Sequence, residues 1–238
     1  MTTRRNGLFI IGAILLTIGS GITTFATFYV YFYGLPVIIF LIGAILIWLS
    51  GRTTRSKILW TLIPIAIFFA YQAMWRWINT SEPETFLISS SYRGKVHIIY
   101  NEQCGEDPEY ENKRRVYRIP GNGLLFTKFN NEYGYIDHQY FFVDSLGRRT
   151  IIPKMDVRDF NEKWTIEKNP NEPSRDSLGV FHWGRTGGGT FEEKNYSFQE
   201  FYIATYRQLN DTFGFKYDRR FDSLEYELIR HCRKSGAK

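Results

Sequence analysis

Histidine is the side chain that most readily binds a metal or transfers a proton near neutral pH, and this chain has four histidines. They are His97, His138, His182 and His231, and no two of them stand at the short spacing of a local zinc motif. A metal site would have to join distant strands, for example through His138, the adjacent Asp137 and His182. An envelope hydrolase with such a metal-dependent site is therefore one alternative function.

The chain has two cysteines, Cys104 and Cys232. A disulfide between them is permitted if this part of the protein lies outside the cytoplasm. It would close a loop of about 130 residues and would stabilise the fold by about 4–5 kcal/mol in the chain-entropy model. The alternative is two free thiols, with Cys232 acting as a small buried apolar residue.

One glycine-rich stretch, Gly184–Thr190, invites comparison with a phosphate-binding loop. A P-loop needs a Lys followed by Ser or Thr at a helix N-terminus, whereas Glu192 and Glu193 follow here. The stretch instead predicts a mobile hairpin loop that contacts a partner. The candidate partner-binding residues are Phe181, Trp183, Gly187, Gly188 and Gly189.

No nucleophile elbow, dinucleotide fingerprint or paired carboxylate motif is present in the sequence. We therefore predict that the protein is not an enzyme and that it holds no cofactor and no metal.

Charge divides the chain into two parts. The first 78 residues contain six Lys or Arg residues and no Asp or Glu, whereas the remaining 160 residues carry 24 basic and 24 acidic residues. The net charge of +6 therefore belongs to the N-terminal part, and the neutral remainder lacks the basic surface that nucleic acid requires. We predict a membrane anchor over residues 1–79 and one folded domain over residues 80–238.

Three apolar runs, at about residues 8–30, 34–50 and 58–78, predict three transmembrane helices, because a spanning helix needs about 20 apolar residues. The second run is short and requires a thin or locally adjusted bilayer. A cleaved signal peptide is the alternative for the first run, but that run is long and two more follow it. Small residues are expected to let the first two helices approach closely: Gly12, Gly19, Gly21, Ala26, Gly43 and Ala44.

Basic residues are placed unevenly around these runs. Arg4 and Arg5 precede the first run, and Arg52, Arg55 and Lys57 lie between the second and the third. Loops rich in Lys and Arg stay in the cytoplasm. We therefore expect an integral protein of the plasma (inner) membrane with a cytoplasmic N-terminus and an extracytoplasmic or periplasmic C-terminal domain.

The C-terminal domain has short runs of β-branched and aromatic residues between turn signals, which predict an antiparallel β-sandwich. Hairpin turns are predicted at Asn122-Gly123 and at Asp144–Gly147. A final amphipathic helix is predicted over residues 222–235, with Asp222 and Glu225 as a capping box. The predicted strands are Thr85–Ser89, Lys95–Tyr100, Arg115–Ile119, Leu124–Lys128, Gln139–Asp144, Arg149–Ile152, Gly179–Trp183 and Phe198–Thr205.

Four segments carry a resemblance to a known family: Tyr92–Tyr100, Arg115–Pro120, Gly123–Leu125 and Tyr140–Asp144. Over residues 85–153 the chain resembles an uncharacterised family of bacterial membrane-anchored envelope proteins with a domain of unknown function. The same motifs are similar to prealbumin-type sandwich modules. The resemblance implies a bacterial, membrane-anchored β-sandwich and brings no catalytic residues.

The sequence thus favours an anchored module that displays its β-sandwich in the cell envelope for binding or structural interaction. Its expected partners are the lipid bilayer and an envelope protein, and nucleic acid is excluded. The second alternative, beside the hydrolase, is an accessory or sensor subunit of a membrane complex.

Overall fold

Long apolar segments fold readily as helices, because a helix satisfies its own backbone hydrogen bonds without water. The computed structural model of this protein describes residues 2–25, 34–160, 170–211 and 219–235. Its contacts divide the chain into two units, Met1–Asn79 and Thr80–Lys238. The described residues of the first unit form three helices, which are α1 (Thr2–Phe25), α2 (Gly34–Leu49) and α3 (Thr54–Ile78).

Among the described helices, α3 alone is long and apolar enough to cross a membrane, by length and composition. Helix α2 has 16 residues, and at 1.5 Å per residue it is about 24 Å long, shorter than the roughly 30 Å hydrocarbon core. The apolar part of α1 covers Asn6–Gly21. One of the three predicted spans therefore meets these criteria, and the predicted end of the first span at residue 30 lies outside the described residues.

Helices α1 and α2 approach each other closely at glycines. A Cβ atom on Gly43 would lie 2.5 Å from the backbone nitrogen of Leu16, and one on Gly12 would lie 2.9 Å from the carbonyl oxygen of Gly43. A Cβ atom on Gly19 would lie 2.7 Å from the backbone nitrogen of Phe40. The prediction of close packing is confirmed at these positions but is wrong for Gly21, whose Cβ would meet no described atom within 4 Å. Ala26 lies outside the described residues.

The second unit contains two β-sheets. The first has the strand order β3-β4-β1-β6-β7 and the second has the order β5-β2-β9-β8. In the described residues, two helices follow the last strand: α4 (Tyr206–Asp211) and α5 (Arg219–Ser235). The described strands are β1 (Glu84–Ser89), β2 (Gly94–Ile99), β3 (Glu109–Glu111), β4 (Arg114–Arg118), β5 (Leu124–Phe126), β6 (His138–Val143), β7 (Arg149–Ile151), β8 (Leu178–Phe191) and β9 (Lys194–Thr205).

The sheets are mixed, so the prediction of an antiparallel sandwich is wrong in this respect. Strand β1 pairs in parallel with both β4 and β6, and β2 pairs in parallel with β5. The reason lies in the connections: β1 and β2 belong to different sheets, as do β4 and β5, and β5 and β6. The chain therefore crosses between the sheets and returns in the same direction, as parallel pairing requires.

The two predicted hairpin turns have different outcomes. Asp144–Gly147 does join the antiparallel strands β6 and β7, with Gly147 at φ +78°. Asn122-Gly123 does not form a hairpin, because β4 and β5 lie in different sheets. Gly123 still needs its glycine conformation, at φ +78°, to start the crossing.

The predicted mobile loop at Gly184–Thr190 is also wrong, because these residues form part of β8, and those from Arg185 to Thr190 pair with β9. The turn lies further along, at Glu192 and Glu193, with φ values of 48° and 65°. Two positive φ angles in a two-residue loop are the signature of a type I′ hairpin.

Aromatic rings on β9 explain why β8 has glycine at two positions. A Cβ atom on Gly187 would lie 2.6 Å from the ring of Phe198, and one on Gly189 would overlap the ring of Tyr196. Each ring therefore lies over its glycine, a cross-strand arrangement that fills the space the glycine leaves.

Both sheets contribute to one aromatic core. The ring of Phe86 on β1 stacks on Tyr117 at a centroid distance of 5.1 Å and on Tyr140 at 4.8 Å. Phe201 of the second sheet meets Phe86 edge-on at 5.3 Å. The two sheets therefore pack against each other in a sandwich-like arrangement.

Helix α5 begins at Arg219, three residues before the predicted start at Asp222. Glu225 does not act in a capping box: its carboxylate lies 2.8 Å from Nδ1 of His97 on β2. The hydroxyl of Tyr196 on β9 donates to the same carboxylate at 3.3 Å. These contacts fasten α5 to the second sheet.

The glycine packing of α1 against α2 predicts opposite effects for two identical substitutions. Gly43→Ala should lower the unfolding free energy of the full chain by about 1–3 kcal/mol, because the new methyl group meets backbone atoms. Gly21→Ala should leave it unchanged or raise it by up to about 1 kcal/mol, because that methyl group meets open space and favours the helix. Unfolding in detergent micelles would measure the unfolding free energy of both variants. Equal changes for the two variants would contradict the close packing of α1 against α2 at Gly43.

Candidate binding cleft

A cleft of about 670 Å³ opens between the loop after β2, the β8–β9 hairpin and the last turns of α5. This volume lies within the range of small-molecule sites, about 300–1,000 Å³. Phenol rings and side-chain amides line its walls. The residues that supply them are Tyr100, Tyr133, Tyr196, Asn101, Gln103 and Asn195.

Cys104 and Cys232 form a disulfide on the wall of this cleft. Their Cα atoms are 5.5 Å apart, a usual separation for such a bridge. The bond ties the loop after β2 to α5 across 128 residues of sequence. Its formation in the cell depends on the compartment and stays a prediction.

Arg233, the neighbour of Cys232, ties the same elements by charge. Its Nη2 donates to Oε1 of Glu102 at 2.7 Å, and its Nη1 donates to the carbonyl oxygen of Phe191 at 3.0 Å. The side chains of Arg233 and Glu102 are only 15% and 11% exposed. Removing one member of such a poorly solvated pair would leave the other charge uncompensated, which is destabilising. The pair therefore keeps the loop after β2, the β8–β9 hairpin and α5 together.

The loop after β2 is fixed by its backbone. Asn101 has φ 58°, and its amide donates to the carbonyl oxygen of Phe129 at 2.8 Å. The amide of Glu102 donates to the carbonyl oxygen of Thr127 at 3.1 Å. A Cβ atom on Gly105 would lie 2.6 Å from the backbone nitrogen of Thr127, so only glycine fits there.

Two phenols of the cleft, those of Tyr100 and Tyr196, are neutral at physiological pH. Burial, with the nearby charge of Glu225, raises the pKa of Tyr196 to about 12. Burial also raises the pKa of Tyr100 well above its usual value, and its hydroxyl donates to Oε1 of Gln199 at 2.7 Å. The described lining includes no histidine. Aromatic faces and amides are groups that hold a polar ligand by stacking and hydrogen bonds.

The structure places some of the predicted partner-binding residues at the cleft and others elsewhere. Gly187 and Gly188 line the cleft together with the two cysteines, and Gly189 lies under the ring of Tyr196. Gly187, Gly188 and the two cysteines, which are far apart in sequence, therefore share one site.

The two predicted aromatic residues lie elsewhere. Phe181 is fully buried and contacts Phe160, so its placement on a binding surface is wrong. Trp183 is 38% exposed and lies under the ammonium of Lys154, 5.1 Å from its ring centre. It lines a separate cavity of about 280 Å³, not the cleft.

The alternative metal site is not assembled. Asp137 pairs with Arg114, whose Nη1 lies 2.6 Å from its carboxylate and holds the pKa of Asp137 below its usual value. His138 lies beside Glu84, and His182 packs edge-on against Tyr202. Within residues 2–25, 34–160, 170–211 and 219–235, no group of three His, Cys, Asp or Glu side chains is placed to hold a metal.

Sequence reasoning missed a buried polar cluster between the sheets. Oε1 of Glu84 accepts from the hydroxyl of Tyr117 at 2.9 Å, and Nε2 of His138 lies 3.0 Å from Oε2 of Glu84. Nδ1 of His138 in turn meets the hydroxyl of Tyr140 at 3.2 Å and Nε2 of Gln199 at 3.4 Å. The signal that was available is an acidic residue directly before the apolar run of β1.

The disulfide predicts a clear response to reductant. Reduction, or the double substitution Cys104→Ser with Cys232→Ser, should lower the unfolding free energy by about 4 kcal/mol, because the open chain has more freedom when unfolded. Thermal or urea unfolding with and without dithiothreitol would measure this. The double variant is the control, since reductant should not change its unfolding free energy. If reductant also leaves the unfolding free energy of the wild-type protein unchanged, the disulfide is not present.

Comparison with known proteins places the second unit in a family. Residues 80–213 match a family of unknown function (DUF6843). No curated protein matches the chain. A solved structure of a "Putative Lipoprotein from Bacillus anthracis" is 20% identical, covers 52% of this chain and 71% of its own, and has a TM-score of 0.38, too low to support a conclusion. Since the matched residues make up more than half of the chain, the protein belongs to the family of unknown function DUF6843.

Proposed function

We propose that this protein is an integral protein of the plasma (inner) membrane that holds its β domain outside the cytoplasm and binds an envelope partner in the cleft beside Cys104–Cys232. It acts by binding and not by catalysis, and its domain is a prealbumin-type sandwich. The observation that carries the proposal is the cleft itself, whose wall is closed by a disulfide. Disulfides persist in oxidising compartments, and a lining of phenols and amides suits recognition of a polar group.

The exposed surface of the helical unit supports three helices in the bilayer. Apolar side chains on all three helices are open to solvent in the isolated chain: Ile10 is 57% exposed, Leu41 52% and Ile67 60%. A soluble protein rarely presents apolar surface of this extent. Helix α2 would span by local thinning of the bilayer.

The distribution of basic residues supports the orientation. The segment between α2 and α3 carries Arg52, Arg55 and Lys57, and Nζ of Lys57 donates to the carbonyl oxygen of Trp48 at 2.8 Å. A cation at the C-terminal end of a helix is favourable, and a basic loop remains in the cytoplasm.

Two cysteine variants in a chain lacking Cys104 and Cys232 would test the orientation. Leu146 is 76% exposed on the β6–β7 turn, and Thr53 is exposed between α2 and α3. An impermeant maleimide added to intact cells should label Leu146→Cys, whereas Thr53→Cys should be labelled only after lysis. The reverse pattern would place the domain in the cytoplasm and overturn the proposal.

Photo-crosslinking would test the cleft. Tyr133 in the cleft is 72% exposed, which matches the 76% of Leu146 outside it. A benzoylphenylalanine in place of Tyr133 should give a defined adduct in cells, and the same residue at Leu146 should not. Gln103→Trp, which fills the cleft, should remove that adduct. Equal products at both positions, or an adduct that survives Gln103→Trp, would exclude the cleft as the binding site.

A further inference from the structure

The outer edge of β8 is covered over only part of its length. Strand β8 is the last strand of its sheet, and its N-terminal half is capped: the amide of Val180 donates to the carbonyl oxygen of Pro153 at 2.9 Å, and the amide of Met155 donates to that of Val180 at 2.9 Å. The register then shifts between Phe181 and Arg185. Beyond that irregularity, the described residues pair with β8 on the β9 side alone.

The hairpin turn determines which backbone groups face outward. Glu192 and Glu193 form a two-residue turn, so the flanking residues Phe191 and Lys194 make a hydrogen-bonded pair. In an antiparallel ladder the hydrogen-bonded residues alternate. Gly189 and Gly187 therefore bond to β9, as Phe191 does.

The remaining residues of this segment are Thr186, Gly188 and Thr190. Each directs its N–H and C=O away from β9 by the same alternation, and each is exposed. In the described parts of the chain, no backbone or side-chain group bonds these outward amides and carbonyls.

An open edge of this kind is usually protected. Proteins place Lys, Pro or a bulge on an exposed edge strand to prevent pairing with another chain. The segment Thr186-Gly-Gly-Gly-Thr190 has no charge and no proline, and the register shift of β8 lies before it. Its edge is therefore free to pair.

The sequence of this segment is the same in both directions, so two antiparallel copies of it match residue for residue. The strand that pairs with this edge is therefore expected to come from a second copy of the chain. An antiparallel pair with its two-fold axis at Gly188 places Thr186 opposite Thr190 of the partner subunit, and Gly188 opposite Gly188 of the partner subunit. All of these positions have outward backbone groups, so they form hydrogen-bonded pairs. Facing threonines are a favourable cross-strand pair.

The flanking residues tolerate the same register. Arg185 comes opposite Phe191 of the partner subunit, and its charge is already balanced by Glu200 at 3.3 Å. No like charges therefore face each other across this pairing. Like charges directly opposite each other would destabilise a strand pair, and this register avoids them.

We propose that two copies of this protein join through the β8 edges at Thr186–Thr190, which makes the two four-stranded sheets one continuous sheet with a two-fold axis at Gly188. Gly188 also lines the cleft, so the pairing brings the two clefts side by side. The inference goes beyond the proposed function and does not depend on it, because it rests on strand register alone.

Cysteine crosslinking of the full chain in native membranes tests the register. Gly188→Cys should give a disulfide-linked dimer on mild oxidation, because the Cα atoms of facing hydrogen-bonded residues are about 5.5 Å apart, within disulfide range. Thr186→Cys is the matched control: its own copies would be four residues out of register, about 13 Å apart, and should not crosslink. Thr186→Cys mixed with Thr190→Cys should crosslink.

Gly188→Pro tests the edge without disturbing the hairpin, because the N–H that proline removes points away from β9. The purified variant in detergent should lose at least about nine-tenths of the wild-type dimer by light scattering, with its melting temperature within a few degrees of wild type. If the variant does not fold, the crosslinks decide alone.

Three results would overturn the proposal. They are a wild-type chain that is monomeric and whose Gly188→Cys variant does not crosslink, self-crosslinking of Thr186→Cys, and a Gly188→Cys product that contains another protein instead of a second copy. A failure here with the expected Tyr133 adduct intact would leave the cleft proposal standing, and the reverse result would leave the dimer standing.

Discussion

The five-stranded sheet depends on one buried carboxylate. Glu84 is only 7% exposed, and removing a carboxylate from water costs several kcal/mol unless partners replace the water. Tyr117 on β4 and His138 on β6 supply them from the strands on either side of β1. A slip of one residue would turn either partner to the opposite face. The carboxylate therefore fixes the register of both parallel ladders around which the first sheet is built.

Much of the fold could be read from local patterns. The first acidic residue, Glu82, follows the boundary between the two units within a few positions. Val96 and Ile98 share one face of β2 and are fully buried, as a period of two predicts, whereas the other face is buried as well, at His97 and Ile99. Such features depend on neighbours along the chain, so sequence alone expresses them.

The cleft is harder to predict from the sequence than the strands are, because its contacts join residues that are far apart in the chain. Glu102 and Arg233 are 131 positions apart, and neither belongs to a motif. The glycines of β8 resemble a loop until the rings of Phe198 and Tyr196 are seen to cover them. The parallel ladders are likewise invisible to a local pattern, because they depend on which sheet each strand joins. The sequence features that mark Gly188 and the cysteines are unrelated, and only the fold brings these residues into one cleft.

The position of Cys232 and Arg233 near the C-terminal end of the sequence has a consequence for biogenesis. Both residues lie in α5, after every described strand, so a nascent chain that has completed those strands still lacks one wall of the cleft. Until α5 emerges, Cys104 is an unprotected thiol, and Glu102 is without its arginine. The recognition proposed for this cleft therefore requires α5 and cannot precede the synthesis of that helix.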